Sequence, residues 1–145
     1  MNSTNVNAGG WRDSEMRTWL NTRVYNGLPD QWKLLLKKVH VISMAGDMSK
    51  EYVNSEDYIW IPATKEVGLQ VNTPPYSMES EGTINLFTND ASRVKRKNGV
   101  GDPIYWWLRS PYAGSATAFS IVITTGSFTG NNAGNGFGVC FGFCI

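Results

Sequence analysis

His40 is the only histidine in the chain, and Cys140 and Cys144 are the only cysteines. Nucleophilic or metal chemistry would therefore draw on these three positions and on carboxylates. No Ser or Cys motif places a nucleophile beside His40, which lies in the apolar run VHVIS, so a structural or exposed histidine is expected. Glu56 with Asp57 and Glu79 with Glu81 are the pairs available for acid–base work, but nothing fixes their separation, and acidic residues in loops are usually solvated. Cys140 and Cys144 sit four residues apart in a stretch whose alternation reads as one strand, which puts their Cα atoms about 13 Å apart, beyond the roughly 7 Å limit of a disulfide. Free thiols follow, with no basic neighbour to activate them, and C-x3-C with one distant histidine cannot complete a usual zinc site. The expectation is no catalytic residue, no metal and no cofactor. Arg109 differs, because a charge inside the apolar run YWWLRS needs a buried partner, for which Glu66, Glu81 and Asp102 are the candidates.

Elements to position these residues can be read from periodicity. Asp13 or Ser14 can cap a helix through Met16, Trp19 and Leu20. A second helix in LPDQWKLLLKKV is capped by Asp30 and buries Trp32, Leu35, Leu36 and Val39. Strands are expected from Val39 toward Gly46, at Tyr58–Ile61, Ile104–Leu108 and Ala118–Thr124, near Phe128, and at Gly138–Ile145. Thr64–Gly68 reads as one helical turn, Asn72–Gly82 as loop, and Thr125–Gly126 as a hairpin turn. The class is α+β: two helices packed on a small antiparallel sheet with long loops. Its 145 residues suit one domain, 1–145.

All 13 basic and 12 acidic side chains lie at or before Arg109, and 110–145 carries none. That tail is rich in Gly, Ser, Thr, Ala and Asn, yet too apolar for a linker. It reads either as buried strands with Gly-rich turns or as a recognition surface, where aromatics supply contact area and small polar residues adaptable hydrogen bonds. A formal charge of +1 gives no general attraction to nucleic acid, and the only dense basic run, Arg93 with Lys95–Lys97, is expected in a solvated loop. No apolar stretch approaches the roughly 18 to 20 residues of a spanning helix, and MNSTNVNAGG has no signal-peptide pattern. No membrane insertion is expected; export by another route, or within a larger particle, stays open.

The order GGWRDSEMRTWLN, LPDQWKLLLKKV, YIWIPATKEVG, YWWLRSP, FSIV, ITTG and GVCFGFCI resembles a bacterial and phage domain family with the C-type-lectin-like fold. The resemblance rests most on Trp107-Leu108-Arg109-Ser110, Phe119 with Val122, Gly126, Gly138-Val139 and Phe143. The run NNAGNGFGV, Asn131–Val139, is similar to the end of the variable proteins of diversity-generating retroelements, in which randomised template adenines turn Asn codons into others. Such randomisation cannot yield Lys, Glu, Gln, Met or Trp, and none occurs from Tyr112 to Phe137.

The resemblance implies a hypervariable binding protein, displayed on a phage tail or fibre or on a bacterial surface, with a protein or glycan on a cell surface as ligand and homo-oligomers possible. A glycan-binding adhesin, and more distantly a formylglycine-generating-enzyme-like catalyst, are the alternatives; a calcium-lectin Glu-Pro-Asn or Gln-Pro-Asp triplet is missing. The implied binding region, 110–145, must project variable side chains from an apolar scaffold. Trp106 or Trp107, Leu108, Phe119, Val122, Val139, Phe141 and Phe143 are expected inside. Tyr112, Ser115, Thr117, Ala118, Ser120, Ile121, Ile123, Thr125, Phe128, Thr129, Asn131, Asn132, Asn135 and Phe137 are expected at the binding face. Related domains carry a further strand before the GGW segment, so either the fold is trimmed or the chain is the C-terminal part of a longer protein.

Overall fold

The computed structural model describes residues 1–70 and 75–145; of the expected loop, Asn72, Thr73 and Pro74 lie outside them. The architecture is α+β, with a few short helices and small antiparallel sheets. Helix α1, Glu15–Trp19, starts at Ser14, whose Oγ accepts from the Arg17 N–H at 3.1 Å, and Glu15 faces the positive helix end. The helix then widens into a π-helical stretch, Leu20–Val24, that buries Leu20. Asn21 projects from this stretch, and its Oδ1 accepts from the N–H groups of Tyr58 and Ile59 at 2.8 and 3.1 Å.

That contact explains the first correction. Strand β1, Val39–Met44, pairs antiparallel with β2, Tyr52–Asp57, in the register Val39↔Asp57 to Met44↔Tyr52. Tyr58–Ile61 is not a strand, because the amides of Tyr58 and Ile59 are already taken by the helix; only Trp60 makes a lone bridge, to Gly142. The second helix is also shorter than its apolar periodicity suggests. Helix α2 is the single turn Asp30–Lys33, follows Pro29 and has no side-chain cap from Asp30. Of its expected inner face only Leu36 is buried; Trp32 and Leu35 are exposed.

Helix α3, Asp90–Arg93, carries an Asn89–Ser92 capping box and leads into β3, Lys95–Arg96, paired with β4, Pro103–Ile104. Arg93 is buried rather than solvated, its Nε donating to Gly126 O at 2.7 Å and its Nη1 to Val67 O at 3.1 Å. The largest sheet orders β5, Trp106–Pro111, β6, Ala118–Val122, and β7, Phe128–Asn132, with β6 in the middle. The expected hairpin turn is present: Gly126 has φ +88°, and a Cβ there would fall 1.9 Å from Asp90 O.

Both faces of β5–β6 are covered. Trp107, Phe119 and Ile121 join Trp11, Leu20, Ile59 and Ile61 in one cluster; Trp106, Leu108 and Val122 join Val67 and Phe87 in another. The expected continuous strand Gly138–Ile145 is instead a strap held at isolated bridges: Gly138 to Trp106, Gly142 to Trp60 and Cys144 to Lys37. Lacking a second covered face, it leaves Phe141 and Phe143 exposed rather than in the scaffold. Both cysteines are free, Cys140 half-buried and Cys144 exposed.

A buried polar centre joins β1, β5 and the turn at 63–68. Arg109, 2% exposed, uses all five of its N–H groups: Nε on Ile42 O at 2.9 Å, Nη1 on Ile61 O at 3.0 Å and Glu66 Oε2 at 2.6 Å, and Nη2 on Glu66 Oε1 and Glu79 O, both at 2.7 Å. Glu66 is thus the partner among the three candidates. Glu79 is buried as well, accepting from Met44 N–H at 3.0 Å and from the Ser110 hydroxyl. Burial pushes its carboxyl up to about 7, with Glu66 adding to the push, against the pull of Arg109, Ser110 and Met44. A folded pKa above the ordinary 4.5 stabilises the fold most at or below pH 4.5, and that contribution is lost as pH rises through about 7. Thermal unfolding should therefore show Tm falling over this window, and Glu79→Gln should flatten the slope; an equal slope in both proteins would assign it to another group.

Candidate binding surface

The sheet brings part of the expected binding face together. Tyr112, Ser115, Ala118, Thr129, Asn131 and Asn132 line a shallow open depression of about 390 Å³ between β7 and the loop that joins β5 to β6. Its floor depends on Gly130, where a Cβ would lie 2.4 Å from the Tyr112 ring, so the ring lies flat across the edge strand at the one residue without a side chain. Phe128 braces the same ring at 6.4 Å and is itself met edge-on by Tyr76, also at 6.4 Å.

Local hydrogen bonds set the loop. Ser115 Oγ accepts from the N–H groups of Thr117 and Ala118, both at 3.1 Å, closing a tight turn. The Thr117 hydroxyl donates to Asn132 Oδ1 at 3.2 Å, and Asn135 Nδ2 donates to Asn131 Oδ1 at 2.5 Å. The amide NH2 groups of Asn131 and Asn132 and the hydroxyl of Thr129 make no side-chain hydrogen bond among the described residues, which leaves donors and acceptors pointing to solvent from an uncharged surface.

Thr117, Thr125, Thr129, Asn132 and Asn135 are exposed; Tyr112, Ser115, Ile123, Phe128, Asn131 and Phe137 are half-buried. Three expected surface residues are not at the surface. Ala118, Ser120 and Ile121 are buried because β6 is the central strand and is covered on both faces, so the outward half of its alternation does not exist. Ile123 and Phe137 pack against the first core cluster, Phe137 at 5.0 Å from Trp107, away from the depression.

Asn7 is the positioning residue that no local pattern announces. It is fully buried; its Nδ2 donates to Ser115 O and Ala118 O, both at 2.7 Å, and its Oδ1 accepts from Asp47 N–H at 2.8 Å. One side chain thereby ties the β5–β6 loop to the β1–β2 turn.

The carboxylate pairs are dispersed. Glu56 is exposed beside His40 Nδ1 at 3.1 Å, while buried Asp57 accepts from Trp11 Nε1 at 2.8 Å, Ser55 Oγ at 2.7 Å and Arg17 Nε at 2.6 Å. The rule that loop carboxylates are solvated fails for Asp57 and Glu79, each of which is enclosed with its oxygens engaged by donors of the fold. Burial raises the Cys140 thiol above its ordinary pKa. Among the described residues no cluster of three His, Cys, Asp or Glu could hold a metal ion, and no helix is long and apolar enough to cross a membrane.

A family model described as a domain of unknown function, DUF6273, matches residues 1–145. No curated protein and no solved structure matches the chain.

Proposed function

The chain belongs to the DUF6273 family, and we propose that it is a ligand-recognition domain on a C-type-lectin-like scaffold, with an exchangeable surface made by β7 and the β5–β6 loop. In this reading it is the variable protein of a diversity-generating retroelement, displayed on a phage tail or fibre or on a bacterial surface, and it binds a protein or glycan of a cell surface without chemistry of its own. The observation that carries the reading is separability. Thr117, Thr129, Asn132 and Asn135 point outward, while the two apolar clusters and the Arg109 centre are complete without them. The W-L-R-S and F-x-x-V motifs supporting the fold assignment fall on β5 and β6, adjacent in one sheet. Exposed Trp32, Leu35, Phe141 and Phe143 offer apolar area for copies to associate, and arrayed copies would add avidity.

Changing Thr117, Thr129, Asn132 and Asn135 together to Ala should cost ~2 kcal/mol or less, since exposed substitutions are individually small. The same variant should lose adhesion to host cells, read by pull-down alongside a melting curve. Unfolding of the variant would refute separability. In the encoding DNA, a near-copy of the final coding stretch, differing at adenines and beside a reverse transcriptase, is expected. Calcium-dependent glycan binding would favour the adhesin alternative instead.

A further inference from the structure

We propose that a second, deeper subsite adjoins the polar depression and accepts a large apolar side chain of an extended peptide ligand. The proposal extends the recognition reading above by choosing a protein ligand over a glycan. The pocket measures about 500 Å³, inside the roughly 300–1,000 Å³ range of small-molecule sites. Met44, Met48, Tyr52, Pro75, Pro111 and Tyr112 make most of its wall, and Lys50 is the one charged side chain on it among the described residues.

Three independent features mark it as a built site. Its two sides, the β1–β2 turn and the end of β5 with the following loop, are clamped to each other by Asn7. At its rim Asp47 and Met48 both hold left-handed backbone, φ +52° and +58°, directly after Gly46 at +71°, and strain of this kind in non-glycine residues collects at ligand sites. Met48 is held 64% exposed at the mouth, an adaptable apolar group where a partner would cover it. Tyr112 and Ser115 line both the pocket and the depression, so a chain crossing the depression passes the pocket mouth.

The wall chemistry selects the occupant. A sugar ring carries hydroxyls around its rim, and in a pocket walled mainly by Met, Pro and Tyr surfaces most of them would be left without partners. An apolar side chain buries there without such loss, while the main-chain amides on either side of it meet Asn131, Asn132 and Thr129.

Methionine-methyl NMR on the full chain reads the site directly, because Met44 and Met48 line the pocket and exposed Met78 does not. N-acetyl-tryptophanamide and N-acetyl-leucinamide are expected to shift the Met44 and Met48 signals saturably and leave Met78 in place; N-acetylglucosamine should move none of them. Ala113→Trp, at an exposed position on the wall, should weaken amide binding by about tenfold or more. If that variant does not fold, Met48→Lys, which charges the mouth, should do the same with Met44 as reporter. Unmoved Met44 and Met48 signals, a response to the sugar alone, or undiminished binding by a folded variant would overturn the proposal. Unmoved methyls together with a stable, adhesion-deficient surface variant would sink the pocket alone. Amide binding together with an unfolded surface variant would sink the exchangeable surface alone.

Discussion

Arg109→Lys should remove about 2–4 kcal/mol of stability, since buried acceptors left without a donor cost about 1–3 kcal/mol each, out of a total of roughly 5–15 kcal/mol for a domain. The charge is kept in this variant, so the loss comes from geometry. The guanidinium presents five donors in one plane, and here each has its own acceptor: the carbonyls of Ile42 in β1, of Ile61 and of Glu79, and both oxygens of Glu66. An ammonium has three donors on one nitrogen and reaches at most part of that set. Buried carbonyls would be left without partners, and Glu66, whose side chain is 13% exposed, would lose its two-point contact. Arg109→Met should be worse, and adding Glu66→Gln should recover part of the difference by removing the stranded charge. Urea unfolding midpoints, at unchanged m-value, test the series. A lysine variant within about 1 kcal/mol of the parent, the size of one ordinary hydrogen bond, would show that the network is not what holds β5 in place.

Asn7→Ala should cost about 3 kcal/mol, roughly one for each of the three side-chain hydrogen bonds it removes, and it should damage recognition more than the four surface alanines damage the fold. The distinction lies in what the bonds join. Ser115 O and Ala118 O belong to the loop beside the depression, and the Asp47 N–H belongs to the turn across the pocket. The backbone of Asn7 is engaged too, its N–H on Ala116 O at 3.1 Å and its carbonyl accepting from Gly10 N–H at 3.0 Å. Gly46 packs so closely on it that a Cβ would lie 1.9 Å from Asn7 O. Without the side chain, the amide of Asp47 should exchange with solvent much faster, and the Met44 and Met48 methyl signals should broaden or double. A variant as unstable as expected but with unchanged exchange at Asp47 would assign Asn7 a purely structural role.

Local signals with a single short-range cause were legible in the sequence. Ser14 caps its helix because a hydroxyl three residues ahead of Arg17 has one obvious donor to meet. The Gly126 turn was visible because two β-rich runs flank it, and Arg109 announced a buried partner because a charge stood in an apolar run. What was not legible depends on contacts remote in sequence. Tyr58–Ile61 has strand composition, yet Asn21 takes its amides; YVNSED has no alternation, yet forms β2 because β1 lies beside it. The last eight residues alternate like a strand but meet three different partners at isolated bridges rather than one continuous neighbour, and Phe141 and Phe143 stay exposed. On the expected binding face, Thr117, Thr129, Asn132 and Asn135 are exposed as their small polar character suggests. Ala118, Ser120 and Ile121 are not, since alternation cannot reveal that a strand is central and covered twice. Asn7 and Glu79 carry no sequence mark at all: each looks like an ordinary polar residue of a loop until the fold encloses it.

The outer side of β7 bears on how far such a surface can be altered. As the end strand of its sheet among the described residues it offers main-chain groups that no described strand pairs, and the usual guards on such a rim, lysines and other like charges, are missing from the entire stretch after Arg109. Discouragement of self-templating falls to local preference instead: Gly130, Asn131 and Asn132 are weak strand formers with little apolar area to bury, and the flattened tyrosine shades one of them. Replacing the asparagines with valine or isoleucine is expected to leave the monomer intact and make concentrated solutions precipitate, so solubility, ahead of folding, limits which side chains this rim can carry.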